Sequence, residues 1–276
     1  MTSRTVEKIS VVVVVAVLGA ALAVNVRGAP QVLLIGALVI TVSAGMDLVL
    51  RGEARYHPTP DLFILPAALV VGAVLFISLL SSGLSIVIAL ATLAGLLFVT
   101  FWAEFSSLSG RTRVELEERR VAETALLVVG YVTAFVLYAA IYQSKARSLL
   151  SAPSIIGITF LLAARQLRLA LEPDRTDVIA PDPAPASQQG LAWPRTLIYS
   201  AAVALAAGEI TWALNYWPLN GFLGGAFLLA SFYFLIGTFS QHLQGRLNGR
   251  LLLEYGAVSV AGVILVTAAG LLRRGV

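Results

Sequence analysis

Residues 83–103 read GLSIVIALATLAGLLFVTFWA, and no charged side chain interrupts them. A hydrocarbon core of about 30 Å takes roughly 20 helical residues to cross, and backbone groups there can be satisfied only inside a helix or a closed barrel. A stretch this long and this uniform reads as a transmembrane helix. Working outward from it, eight further apolar runs lie near 9–26, 31–50, 61–81, 123–143, 149–164 (continuing to 171), 195–214, 217–239 and 253–272. The expectation is an all-α, polytopic transmembrane helix bundle of about nine spans. The sixth run has the shortest uninterrupted core, and its Arg165 and Arg168 would have to snorkel back to the headgroups. The first run follows Arg4 and Lys8 and contains Ala21-Leu22-Ala23, so it reads either as a cleavable signal peptide or as a retained span. Its valine-rich length, from Val11 through Val24, favours retention.

Composition agrees with a lipid-solvated chain. Hydrophobic residues make up 58% and charged residues 12%, against about 45–50% and 25% in a soluble domain. Mean hydropathy is +0.88. There is no cysteine, which excludes disulfides, thiolate metal sites, iron–sulfur clusters and a cysteine nucleophile. The net charge of +4 comes from arginines placed between apolar runs rather than gathered in one patch, so it reads as topology and not as a nucleic-acid surface. With a cytoplasmic N-terminus, 14 of the 19 basic residues fall on the cytoplasmic side, as the positive-inside rule requires. The expected location is therefore a cell inner membrane, crossed several times, with the C-terminus on the non-cytoplasmic face.

The connections divide the chain unevenly. Residues 1–171 form a six-span part, 172–194 a cytoplasmic linker and 195–276 a three-span part. The linker carries five of the eleven prolines together with four acidic side chains, a composition that favours disorder. Residues 104–122 are charged instead, with Arg113/Glu117 and Glu115/Arg119 at i,i+4 spacing, and should continue as a helix beyond the membrane. Connections on the opposite side are very short, such as Ser81-Ser82-Gly83, so successive spans pair as helical hairpins.

An ionisable side chain inside a span costs about 2.5–3.5 kcal/mol on insertion scales, which makes each one a candidate site. Glu209 is the clearest. It lies 14 residues after Arg195, about 21 Å along a helix, and Trp212 and Asn215 follow it. The candidate binding residues are Glu209, Trp212 and Asn215. Two readings stand side by side. One is a small polar pocket that includes Tyr138, Tyr142 and Gln143, with the carboxylate binding a cation or proton or acting as a general base. The other is a buried glutamate that holds helices together while Trp212, Tyr216 and Trp217 form an aromatic belt. Asp47, Glu104, Glu123 and Glu254 fall near cytoplasmic helix ends, within reach of water. Asp47, Arg51, Glu53 and His57 cluster at that face, and His242 follows the eighth run on the same side. Both histidines lie in loops, so neither a metal site nor a cofactor is assigned. Zinc-helix, nucleophile-elbow and phosphate-loop patterns do not occur.

Glu209 to Glu254, with its Glu-x-x-Trp pair, Tyr-Trp-Pro-Leu turn and Gly-Arg-Leu loop, resembles a family of uncharacterised bacterial multi-pass membrane proteins. Asp47-Leu48-Val49-Leu50-Arg51, followed by a span opening Ile64-Leu65-Pro66, extends that resemblance over much of the chain. The family is a domain of unknown function, so the resemblance implies a similar layout and no activity. The expected role is a non-enzymatic accessory or scaffold subunit, with the bilayer and a second membrane protein as partners. A small-solute or ion transporter using Glu209, or an intramembrane enzyme acting on lipid, are the alternatives.

Overall fold

A computed structural model of the chain describes residues 3–51, 59–108, 113–144, 148–171, 186–217, 219–245 and 248–272. Among the described residues there are nine helices and no strand: α1 (Ser3–Asn25), α2 (Ala29–Leu50), α3 (Asp61–Ile77), α4 (Gly83–Leu108), α5 (Arg113–Gln143), α6 (Ser148–Leu171), α7 (Ala186–Leu214), α8 (Gly221–Leu243) and α9 (Gly249–Leu272). The fold is all-α. Seven helices (α1, α2, α4, α5, α6, α7 and α8) are long and apolar enough to cross a membrane, while α3 and the Leu252–Ile264 stretch of α9 are apolar but shorter. These apolar helices suggest a membrane location. The expected count of about nine spans thus resolves into seven full-length helices and two shorter ones. The third run ends early: Ser78 caps α3 and its hydroxyl bonds the Leu75 carbonyl at 2.7 Å, and residues 78–79 form a turn. At 17 residues, α3 rises about 26 Å, at the lower limit for a span. The sixth run reaches full length, from Leu150 to Ala170. Residues 172–185 of the expected linker lie outside the described residues, and from Ala186 the chain is helical.

The chain separates into two compact units, 1–140 and 141–276, and the division falls within α5. In the first unit α3 is the central helix. It packs on α1, α2 and α4, and Gly72 lies against Val136 and Leu137 of α5. Its sequence explains this place: Leu62, Leu65, Leu69, Val70, Val74 and Ile77 are all buried, as expected of a helix apolar on every side. Around it, α1 and α2 form an antiparallel hairpin. Its turn uses Gly28 at a φ of 83°, a conformation that favours glycine, and Pro30 opens α2 where its missing N–H costs nothing.

Glycines set how closely these two helices approach. Leu38 packs over Gly19, and Val12 packs over Gly45. The two contacts are seven residues apart on both helices, two turns in antiparallel register. Between transmembrane helices there is no hydrophobic drive to associate, so contact area of this kind does most of the holding.

In the second unit α6 and α7 lie side by side, with Ile156 seated on Gly208. Helix α8 packs on α6, α7 and α9. Against α9 it presents Gly237 to the Tyr255 ring, and its Ala230 carbonyl accepts a 3.1 Å bond from the Ser259 hydroxyl. Tyr233 and Tyr255 meet with ring centroids 5.5 Å apart.

The register of the first hairpin is open to test. Gly45→Ala would drive a methyl into both branches of Val12, a side chain too stiff to rotate away, and should cost about 1–3 kcal/mol. Gly36→Ala, on the open face of the same helix, should cost nothing. Reversible unfolding of both variants in mixed micelles measures the difference.

Candidate functional site

Three of the polar side chains singled out from sequence, Tyr142, Gln143 and Asn215, meet at or beside the turn between α7 and α8. A helix ends with carbonyls that lack partners and begins with amides that lack them, and in or near lipid each must find one. Here the end of α5 supplies them. The Tyr142 hydroxyl donates to the Leu214 carbonyl at 2.7 Å and lies 3.2 Å from that of Trp217. A hydroxyl has one proton, so the shorter bond is the principal one. Gln143 Oε1 accepts from the Gly221 amide at 2.7 Å, and Asn220 caps α8 by accepting from the Leu223 amide at 2.9 Å. Asn215 Nδ2 reaches the Ser151 hydroxyl on α6 at 3.3 Å.

Close packing fixes the same junction. A methyl on Gly221 would meet the side chain and Cα of Gln143, and one on Gly224 would enter the Tyr142 ring. These contacts tie the end of α5, the start of α6 and the α7–α8 turn into one polar knot. Its groups are engaged with one another and with backbone, so its chemistry is that of a joint.

Glu209 takes part in none of those hydrogen bonds. It is exposed, as are Trp212 and Asn215. The inward face of α7 carries the small and hydroxyl side chains Ser200, Ala204, Ala207, Gly208 and Thr211 together with Val203 and Leu214. Ser200 and Thr211 return their hydroxyls to carbonyls four residues back, at 2.7 Å, and so present little polarity to their neighbours. Glu209 lies on the opposite face, in line with Ile198, Leu205 and Trp212, each more than half exposed. The buried glutamate expected as one alternative is therefore corrected: the carboxylate points outward. The pocket reading is altered as well, because Tyr142 and Gln143 are spent on the turn, while Tyr138 is fully buried and belongs to the first unit.

The structure buries other charges that the sequence placed near water. Glu104, near the end of α4, is 0% exposed, and Arg165, expected to snorkel, is 4% exposed. Asp61 at the start of α3 is buried too. Their positions near helix ends gave no signal of this, because an end can be covered by neighbouring helices as readily as by headgroups. Asp47 and Arg51 pair across one turn of α2 at 2.5 Å, whereas Glu53 and His57 lie outside the described residues. His242 stands edge-on to Tyr199, with centroids 5.8 Å apart, and Tyr199 also contacts Phe239. Among the described residues, no three His, Asp or Glu side chains gather as metal ligands would.

One family model matches the chain over residues 9–180 and 187–269, and its description is a protein of unknown function (DUF5656). No curated protein and no solved structure matches.

Tyr142→Phe removes the hydroxyl that serves Leu214 and should lower stability by about 1 kcal/mol. Glu209→Gln, on the exposed face, should change it by less than about 0.5 kcal/mol. Unfolding of the two purified variants in one detergent system compares them directly.

Proposed function

The chain belongs to the DUF5656 family, and from that premise we propose that it is a multi-pass membrane protein acting as a non-enzymatic accessory or scaffold subunit of a membrane complex. The observation that carries this reading is Glu209, a carboxylate on the outward face of an apolar helix, which the fold leaves for something outside its own unit to satisfy. The polar groups at the neighbouring turn support it, since they are consumed in joining helix ends. Transport through Glu209 would call for the carboxylate to face neighbouring helices, and it faces away from the small-residue side on which α6 packs. A lipid enzyme built on Asp47 and Arg51 would use two groups already paired with each other.

In this proposal the protein lies in a bacterial inner membrane with its N-terminus in the cytoplasm. All nine helices cross, α3 and α9 included. The arginine distribution supports that orientation, and the native absence of cysteine makes it simple to test. In intact cells, Ser82→Cys and Tyr216→Cys should react with an impermeant maleimide. Thr59→Cys and Asn248→Cys should react only after lysis. A reversed pattern would overturn the orientation, and Ser82→Cys labelled only after lysis would show that α3 does not cross.

The role itself is tested by mild extraction from the native membrane and mass spectrometry of the intact assembly. A second membrane protein should remain bound at fixed stoichiometry. A chain that emerges alone, holding a small solute, would replace this reading with transport.

A further inference from the structure

Glu209 is five residues from the last residue of α7 and 14 from Arg195, so about 7.5 Å and about 21 Å of helix separate it from those two levels. With Arg195 and the end of α7 taken as the two limits of the span, the carboxylate lies in the outer part of the hydrocarbon layer. Ile198, Leu205 and Trp212 share its face, lying within about 60° of it when each residue turns the helix by 100°. On the other flank, Ala202, Ala206 and Ala213 stand within about 60° of it and are at least partly exposed. The carboxylate therefore sits at the edge of a shallow strip of methyl groups, walled on one side by large apolar side chains. Small residues of this kind let a second helix approach closely.

We infer that this face of α7 docks a membrane-spanning helix of another protein, one that carries a lysine or arginine at the depth of Glu209. The inference rests on the accessory-subunit reading and names the partner's chemistry. A cation satisfies the carboxylate with a charge-assisted hydrogen bond, stronger than a neutral donor supplies, and each charge relieves the other's cost of lying in lipid. A second copy of this chain related by a two-fold axis would bring two carboxylates together instead, a like-charge contact with no cation to offset it. The alanine strip accommodates the backbone of the incoming helix, and Leu205 with Trp212 fixes the side from which its cation arrives.

The test places a photo-crosslinking amino acid at Leu205 or at Ala206 of the full chain in its native membrane, with Leu253 on α9 as the control position. Crosslinked peptides should come from a membrane span of another protein that contains a lysine or arginine. Glu209→Gln should lower the yield about tenfold, while Glu209→Asp retains most of it. Ala202→Leu, which fills the strip and leaves the carboxylate, should lower the yield as well. Replacing the partner's cation by glutamate should abolish crosslinking, and Glu209→Lys should restore it. Crosslinks to a second copy of this chain, to a span without a cation, or at a yield indifferent to Glu209→Gln would each overturn the inference. A partner that stays bound but crosslinks elsewhere sinks this inference alone. Absence of any bound protein sinks the accessory-subunit reading with it.

Discussion

A peptide group in hydrocarbon has no water to bond, and every feature of this chain follows from where its amides and carbonyls find partners instead. Helix interiors solve the problem locally, which is why nine helices account for nearly all the described residues. Helix ends do not solve it, and there the chain spends its few polar side chains. Tyr142 serves the end of α7, Gln143 and Asn220 serve the start of α8, and Gln244 donates to the Ala170 carbonyl at the end of α6 at 2.8 Å. Serines and threonines inside the spans follow the same economy by turning their hydroxyls back onto their own helix.

Once backbone polarity is satisfied, packing decides which side of each helix faces inward, and the rule differs from that of a protein in water. Lipid is as apolar as leucine, so large aliphatic side chains can face either way, and small residues matter where they let two helices approach closely. Helix α7 shows both: Val203 and Leu214 are buried beside Ala204, Ala207 and Gly208, whereas Ile198, Leu205 and Trp212 are exposed. The α1–α2 hairpin obeys the same rule through Gly19 and Gly45. A carboxylate on the large-residue face stands out against that pattern, because nothing in the packing of its own unit requires it.

Much of the fold was legible in the sequence. Run lengths located all nine helices, and the shift from apolar to charged residues foretold that α5 would extend past its span, where Arg119 now pairs with Glu123 at 2.7 Å. Termini were less legible: α3 stops at Ile77 and α8 starts at Gly221, because Ser78 and Asn220 act as caps inside stretches whose hydropathy alone runs on. The orientation of Glu209 was not legible in α7 alone. Hydrophobicity is nearly uniform around that helix, and small residues lie on both sides of it, Ala204, Ala207 and Gly208 buried but Ala202 and Ala213 exposed, so only the packing of α6 against Gly208 and its neighbours tells inward from outward. The burial of Glu104 and Arg165 had no marker either, since it depends on which other helix ends lie above them.

The Tyr142 and Gln143 contacts also impose an order in time. The residues they hold lie 72 to 78 positions further along the chain. At a synthesis rate of about 5–20 residues per second, roughly 4–15 s pass between the emergence of α5 and that of its partners. Through that interval the amide of Gln143 sits at the tip of a finished helix with its eventual partner still unmade. The contacts that join the end of α5 to the α7–α8 turn can therefore form only once that turn has been made. Translation thus sets the earliest moment at which this joint can close, with one half of it made well before the other.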